Sequence, residues 1–255
     1  MRVAPAVALV ALAGAAVVLV PPPAAAGGDP EAEGERLYLE GCSSCHGEDG
    51  GGAEDDAGNL RGPPVADSGE AAAFYYLSTG RMPLANSEEQ PRRKDPAYDE
   101  EQIAALVAYV ASLGDGPTLP EVDVAAADLV RGGELFRENC QACHSASGSG
   151  GALSYGRAAP PLAPARPDET AAAIRVGPGQ MPVFGEEALS AAEVADVVRY
   201  VEYLDAPADP GGLPIGRLGP IPEGFVGWFL GVPLLLGATY WIGTRSPVRR
   251  RKGSL

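Results

Sequence analysis

Cysteine, histidine and methionine are scarce in these 255 residues, with four, two and three copies respectively. Reaction chemistry built on histidine or thiol would have to draw on these few residues. Basic residues are short as well, at 19 against 34 acidic ones. The division is sharper than the net −15 implies. All 34 acidic residues fall between Asp29 and Glu223 with only 13 basic ones, which leaves that region at −21. A body this acidic repels nucleic acid and favours a basic partner surface or a fixed assembly. Uncharged runs of membrane length occur only near the two ends, at Val3–Val20 and Phe225–Gly243.

The few cysteines and histidines are all spent in one pattern used twice. Cys42-Ser43-Ser44-Cys45-His46 and Cys140-Gln141-Ala142-Cys143-His144 account for all six. A Cys-x-x-Cys-His run reads as a c-type haem attachment site, in which two thiols add to the haem vinyl groups and the histidine binds iron axially. A lone Cys-x-x-Cys also serves thiol redox pairs and half zinc sites. Two copies, each followed by one of the only histidines, favour haem. Beyond the initiator, one methionine follows each motif, Met82 at 36 residues after His46 and Met181 at 37 after His144. Both sit in Gly-x-Met-Pro, as sixth iron ligands of two His/Met haems would. Met82 and Met181 as core filler is the plainer alternative.

The repeat extends past the motifs. Gly34, Leu37 and Tyr38 precede Cys42 at the spacings that Gly132, Leu135 and Phe136 keep before Cys140. Asp99 with Gln102, and Ser190 with Glu193, are helix-start signals. Each opens an apolar stripe at helical spacing: Ile103, Leu106, Val107, Val110 and Leu113, then Val194, Val197, Val198, Val201 and Leu204. Gly114 is expected to end the first of these helices. The copies align at an offset of 98 residues through the haem motif and 91 at the last helix. About eight extra residues therefore follow Met82, in the polar stretch 86–96 with Arg92, Arg93 and Lys94. This is a candidate docking loop, or else a plain surface loop.

Residues 1–28 have one basic residue, an apolar core and small residues around Ala24 and Ala26, which reads as an export signal cleaved near Ala26 or a retained anchor. The first unit is then 29–114, a short linker 115–122, the second unit 123–205, and a Pro/Gly linker 206–224. Residues 225–243 span roughly 28 Å as a helix, near the hydrocarbon thickness. Trp228, Tyr240 and Trp241 are placed as interfacial anchors, Pro233 marks a possible kink, and the basic tail 244–255 should stay cytoplasmic.

Glycine, an aromatic four residues on, Cys-x-x-Cys-His, a distal Met-Pro and a last helix with an apolar-x-x-Tyr pair (Leu106 with Tyr109, Val197 with Tyr200) resemble class I cytochrome c, twice. The resemblance implies an all-α fold in which the glycine lets first and last helices cross closely. It also implies a proline carbonyl that orients each ligand histidine: Pro63 or Pro64, and Pro160 or Pro161. The order of parts, with one C-terminal transmembrane helix, resembles the dihaem cytochrome c subunit of the actinobacterial cytochrome bc complex. That family implies two covalent haem c groups, with Cys42, Cys45, Cys140 and Cys143 as attachment points and His46, Met82, His144 and Met181 on iron. It implies cytochrome b, a Rieske iron–sulfur protein, a haem-copper terminal oxidase and the cell membrane as partners, with no nucleic acid. The haem domains would stand on the extracytoplasmic face and act as the electron-transfer subunit of quinol–cytochrome c reductase, without substrate chemistry of their own. A free or tethered dihaem carrier for another redox complex is the alternative, and a dihaem peroxidase with one open iron position is disfavoured by Met82 and Met181.

Overall fold

The computed structural model describes residues 29–85, 90–207 and 220–245. The export segment 1–28, most of the second linker and the tail beyond Arg245 lie outside them. The first domain runs α1 (Pro30–Gly41), α2 (Ser43–His46), β1 (Ala53–Glu54), β2 (Leu60–Gly62), α3 (Gly69–Ser78) and α4 (Glu100–Ser112). The second repeats the order as α5 (Leu129–Asn139), α6 (Gln141–His144), β3 (Gly151–Ala152), β4 (Ala158–Ala159), α7 (Pro167–Val176) and α8 (Ala191–Asp205). The two antiparallel ribbons, β1–β2 and β3–β4, are additions to the all-α expectation.

Each domain is held by the crossing of its first and last helices. α1 crosses α4 where a Cβ on Gly34 would overlap the Ala105 carbonyl, and α5 crosses α8 where one on Gly132 would overlap that of Asp196. With no side chain between them, the backbones touch, and the aromatics beside the glycines pack across the join. Tyr38 meets Tyr109 with ring centroids 5.2 Å apart, and Phe136 meets Tyr200 at 5.3 Å. Both pairs are tilted, a favourable arrangement for aromatic quadrupoles. Leu106 and Val197, one turn before the tyrosines, are 1% exposed. The stripes close the cores, with Ile103, Val107 and Val110 buried in one and Val194, Val198 and Val201 in the other.

The helix starts are capped as the sequence indicates. Asp99 accepts from the Gln102 N–H at 2.9 Å while Gln102 Oε1 accepts from Asp99 N–H at 3.1 Å. Ser190 and Glu193 make the same reciprocal pair. Gly114 stands just past the Leu113 cap of α4, where the sequence puts the end of that helix, but without a positive φ. α4 stops at Ser112, and Gly114 serves close approach instead, since a Cβ there would lie 2.7 Å from the Ala66 carbonyl oxygen.

The domains pack through equivalent helices, α3 against α7. Ala71, Tyr75 and Ala172 form a small buried cluster, with Phe74, Leu119 and Val176 around it. The linker docks on the same helix: Ala71 N–H donates to the Pro117 carbonyl at 3.0 Å and Leu119 N–H to Glu70 at 3.0 Å.

At the C-terminus, α9 (Pro220–Val226), a π-helical turn (Gly227–Gly231) and α10 (Val232–Arg245) form one continuous apolar helix, and Pro222–Arg245 is 24 residues, long enough to cross a membrane. Pro233 has no N–H to give, and the widened turn immediately before it, with Val232 N–H on the Gly227 carbonyl, reroutes the ladder there. Arg245 lies over the Trp241 ring at 4.4 Å, at the end where an interfacial anchor belongs.

The glycine crossing yields a direct test. Gly132→Val must push α5 off α8 and should cost ~1–3 kcal/mol of stability, read as a lower melting midpoint of the purified protein in detergent. Gly224→Ala, where a Cβ meets nothing within 4 Å, should leave the midpoint unchanged.

Candidate haem sites

In both domains the Cys-x-x-Cys-His segment is a single helical turn hung on the end of the first helix. Cys42 N–H closes on the Tyr38 carbonyl at 2.8 Å and His46 N–H on the Cys42 carbonyl at 3.0 Å. The second copy repeats this with Cys140 on Phe136 at 2.8 Å and His144 on Cys140 at 2.9 Å. The first cysteine of each pair is packed against the domain core and the second is exposed. Burial raises the pKa of the Cys42 thiol and pushes that of Cys140 up to about 11.

The chain after each histidine folds back to hold the imidazole ring. Gly52 N–H bonds the His46 carbonyl at 2.7 Å, and Val65 N–H bonds the Gly50 carbonyl at 2.7 Å. Gly150 and Leu162 make the matching bonds to His144 and Gly148, at 3.0 and 2.8 Å. These turns run through glycines at positive φ, Gly50 and Gly52 in one domain and Gly148 and Gly150 in the other. The result is one bond per ring: His46 Nδ1 lies 2.8 Å from the Pro63 carbonyl oxygen and His144 Nδ1 3.0 Å from that of Pro160. A carbonyl can only accept, so Nδ1 carries the hydrogen and Nε2 keeps its lone pair. The structure thus selects the first proline of each pair. Burial lowers the pKa of His144, against a smaller opposite effect of the Pro160 bond, and so favours the neutral ring.

Both methionines are half-buried in the apolar cluster of their own domain, Met82 with Leu37, Leu106 and Tyr98 in one, Met181 with Val194, Val198 and Phe184 in the other. Each follows a glycine or its turn at positive φ, Gly80 and Gly179. Met82 N–H bonds the Tyr76 carbonyl at 3.0 Å, which ties its turn to α3. The second turn is fastened differently, by Arg175. Its guanidinium is 8% exposed and donates to the carbonyls of Phe184 at 2.8 Å and Leu189 at 2.7 Å and to Glu186 at 2.5 Å. Sequence reading had no reason to single out Arg175, since only the fold brings three acceptors to one arginine.

Among the described residues no group of three or more His, Cys, Asp or Glu stands close enough to hold a metal ion, so the cysteines have no partners for a zinc site. An imidazole fixed through Nδ1, a cysteine pair on the turn before it and a thioether in the adjoining apolar cluster fit the donors that a c-type haem would need.

Comparison with known proteins agrees. The family model described as Cytochrome c matches residues 31–114, and that described as Cytochrome C oxidase, cbb3-type, subunit III matches residues 127–201. Two cytochrome c domains in one chain define an electron-transfer cytochrome with covalently bound haem c. The cytochrome bc1 complex cytochrome c subunit of Mycobacterium tuberculosis is 42% identical over 221 residues, 84% of this chain and 77% of that one. Its counterpart in Corynebacterium efficiens is 39% identical over 232 residues, 84% of this chain and 77% of that protein. The FixP subunit of the cbb3-type cytochrome c oxidase of Bradyrhizobium diazoefficiens is 29% identical over 124 residues, 47% of this chain and 41% of FixP. The chain belongs to the actinobacterial family of cytochrome bc1 complex cytochrome c subunits.

A local test of the histidine cradle follows from Gly150. At φ +83°, with a Cβ that would lie 2.5 Å from the Ala159 carbonyl oxygen and 2.9 Å from the Pro160 carbonyl carbon, it has no room for a side chain. Gly150→Ala should destabilise the second domain by ~1–3 kcal/mol and leave the first unaffected, which amide hydrogen exchange in α5 and α8 against α1 and α4 will resolve.

Proposed function

We propose that this chain binds two haem c groups, one per domain, and relays electrons from the Rieske iron–sulfur protein of a cytochrome bc complex toward a haem-copper terminal oxidase. The observation that carries this reading is the duplicated Nδ1–proline carbonyl bond. It presents Nε2 of His46 and of His144 for iron in two sites of the same construction. Cys42 and Cys45 would hold the first haem and Cys140 and Cys143 the second, with Met82 and Met181 completing the axial sets. When bound, the haem supplies a one-electron couple between ferric and ferrous iron. The protein's own part is to fix the imidazole through Pro63 or Pro160 and to surround the site with apolar side chains, which sets the potential. The family relationship supports cytochrome b and the Rieske protein as neighbours. The apolar helix supports a membrane anchor, and the basic residues beyond it support a cytoplasmic tail, with both haem domains on the outer face.

Pyridine haemochrome analysis should return two haems per chain, and one per chain would overturn the reading. Met82→His and Met181→His should each lower the potential of one haem and leave the other nearly fixed, because imidazole favours ferric iron more than a thioether does. A redox titration in which either substitution moves neither wave removes that methionine from the ligand set.

The anchor separates a fixed subunit from a mobile carrier. Tethering keeps the haems at high effective concentration beside their partners. A chain cut before Pro222 should therefore fold and bind both haems, while quinol-to-oxidase electron flow in membranes collapses and is little restored by modest amounts of the soluble fragment. Full turnover with that fragment would instead make the protein an ordinary dihaem carrier.

A further inference from the structure

Residues 90–95 belong to the stretch after Met82 that the second domain lacks. They run between the two domains, where Gln90, Arg93 and Lys94 each find partners. On the first domain, Lys94 N–H donates to the Thr79 carbonyl at 3.2 Å and Lys94 Nζ to the Pro83 carbonyl at 2.6 Å. Gly80 lies so close beneath that a Cβ there would overlap the Lys94 carbonyl. The segment is thus pinned to the turn that carries Met82.

Its other contacts belong to the second domain. The Gln90 side-chain amide binds the backbone of Ala158 in both directions, Nε2 to the carbonyl at 2.8 Å and Oε1 from the N–H at 3.1 Å. Two residues further on is Pro160, whose carbonyl holds His144. Arg93 sets both terminal nitrogens on the Glu169 carboxylate, which is 2% exposed and also accepts from the Arg166 N–H at 2.9 Å. The Arg166 guanidinium comes only to 4.0 Å of this carboxylate, so Arg93 is its closer counter-charge, and withdrawing Arg93 from so deeply buried a charge is opposed. Beside the pair, Arg81 is 8% exposed with its guanidinium 4.8 Å from the Tyr75 ring centroid. The position equivalent to Arg81 in the second domain is Gln180, which is exposed.

We propose that residues 90–95 are an interdomain strap, in which Gln90 and Arg93 position the His144 loop of the second domain against the Met82 loop of the first and so set the geometry of electron exchange between the two haem sites. Among the described residues, the apolar cluster between the domains has three buried side chains, Ala71, Tyr75 and Ala172. Domains joined by so small a hydrophobic interface move relative to one another unless something else holds them. Gln90 and Arg93 supply that hold, and neither makes a hydrogen bond within its own domain among the described contacts. Both are positioning residues: Gln90 binds the strand that leads to Pro160 and Arg93 binds the first turn of α7, and neither touches a ligand. The proposal rests on the two-haem reading.

The test uses full-length, haem-loaded protein in detergent, as wild type, Gln90→Ala, Arg93→Ala, Arg93→Lys and the Gln90→Ala/Arg93→Ala double variant. Haem content and both midpoint potentials should stay as in wild type. Electron exchange between the haems after pulsed reduction should slow severalfold and spread over several phases in the double variant, with Arg93→Lys intermediate. Amide protection should fall in α3 and α7 and hold in α1, α4, α5 and α8. A double variant with two haems, wild-type exchange in one phase and protected α3 and α7 amides overturns the strap. If the double variant fails to take up haem, Gln90→Ala alone decides by the same two readouts, because both of its bonds cross the interface. Should the wild type hold one haem, the two-haem reading fails, and the strap is then judged by α3 and α7 amide exchange alone.

Discussion

Everything in this molecule depends on two backbones touching. Where α1 meets α4 at Gly34, and α5 meets α8 at Gly132, the absence of a side chain lets the helices approach until a carbonyl fills the space a Cβ would take. The consequence runs down the first helix: with the crossing fixed, Tyr38 and Phe136 are locked against Tyr109 and Tyr200, and one turn later the first cysteine hangs from the same aromatic's carbonyl. The Cys-x-x-Cys-His turn is therefore placed by a contact some distance from it. The glycine turns that follow bring Pro63 or Pro160 back over the ring, and a histidine that would be mobile on an exposed four-residue helix is fixed by one hydrogen bond.

Most of that architecture is legible in the sequence because it is local and stated twice. Capping pairs at spacing three, stripes at helical spacing and a motif that consumes every cysteine and histidine depend on neighbours along the chain. The repeat then confirms each role by its copy. What the sequence hides is long-range or chosen by geometry. Pro63 and Pro64 are indistinguishable until the loop closes on the histidine. Gly114 reads as a helix stop by position, yet its use is close passage over Ala66, a contact made between segments nearly fifty residues apart. The brief β-ribbons have no alternation to announce them, being two or three residues long. The partners of Arg175 and of Arg93 exist only once the domains have folded and met.

A repeat says which residues play the same part within each copy and nothing of how the copies face each other. Here equivalent helices, α3 and α7, meet through a small apolar patch, and their equivalent glutamates have been put to different uses. Glu70 accepts the linker at Leu119, and Glu169 accepts the arginine of the other domain. The pair shows how duplication supplies like positions that later contacts make unlike.

The methionine turns diverge in the same way. A thioether ligand is a weak, flexible donor, so its turn must be held by something else if the site is to keep one geometry. The second domain does this internally, with buried Arg175 gripping the carbonyls of Phe184 and Leu189 just past Met181. The first domain has Tyr76 at the position equivalent to Arg175, and there the backbone does the fastening, the Tyr76 carbonyl accepting from Met82 N–H. Lys94 adds to it on the Pro83 carbonyl and on Thr79, from within the extra residues. The same extra residues that fasten the Met82 turn from within its own domain continue to Gln90 and Arg93, which reach across to the second domain. The insertion thus has two separable jobs: Lys94 holds the first methionine turn internally, and Gln90 and Arg93 hold one domain to the other.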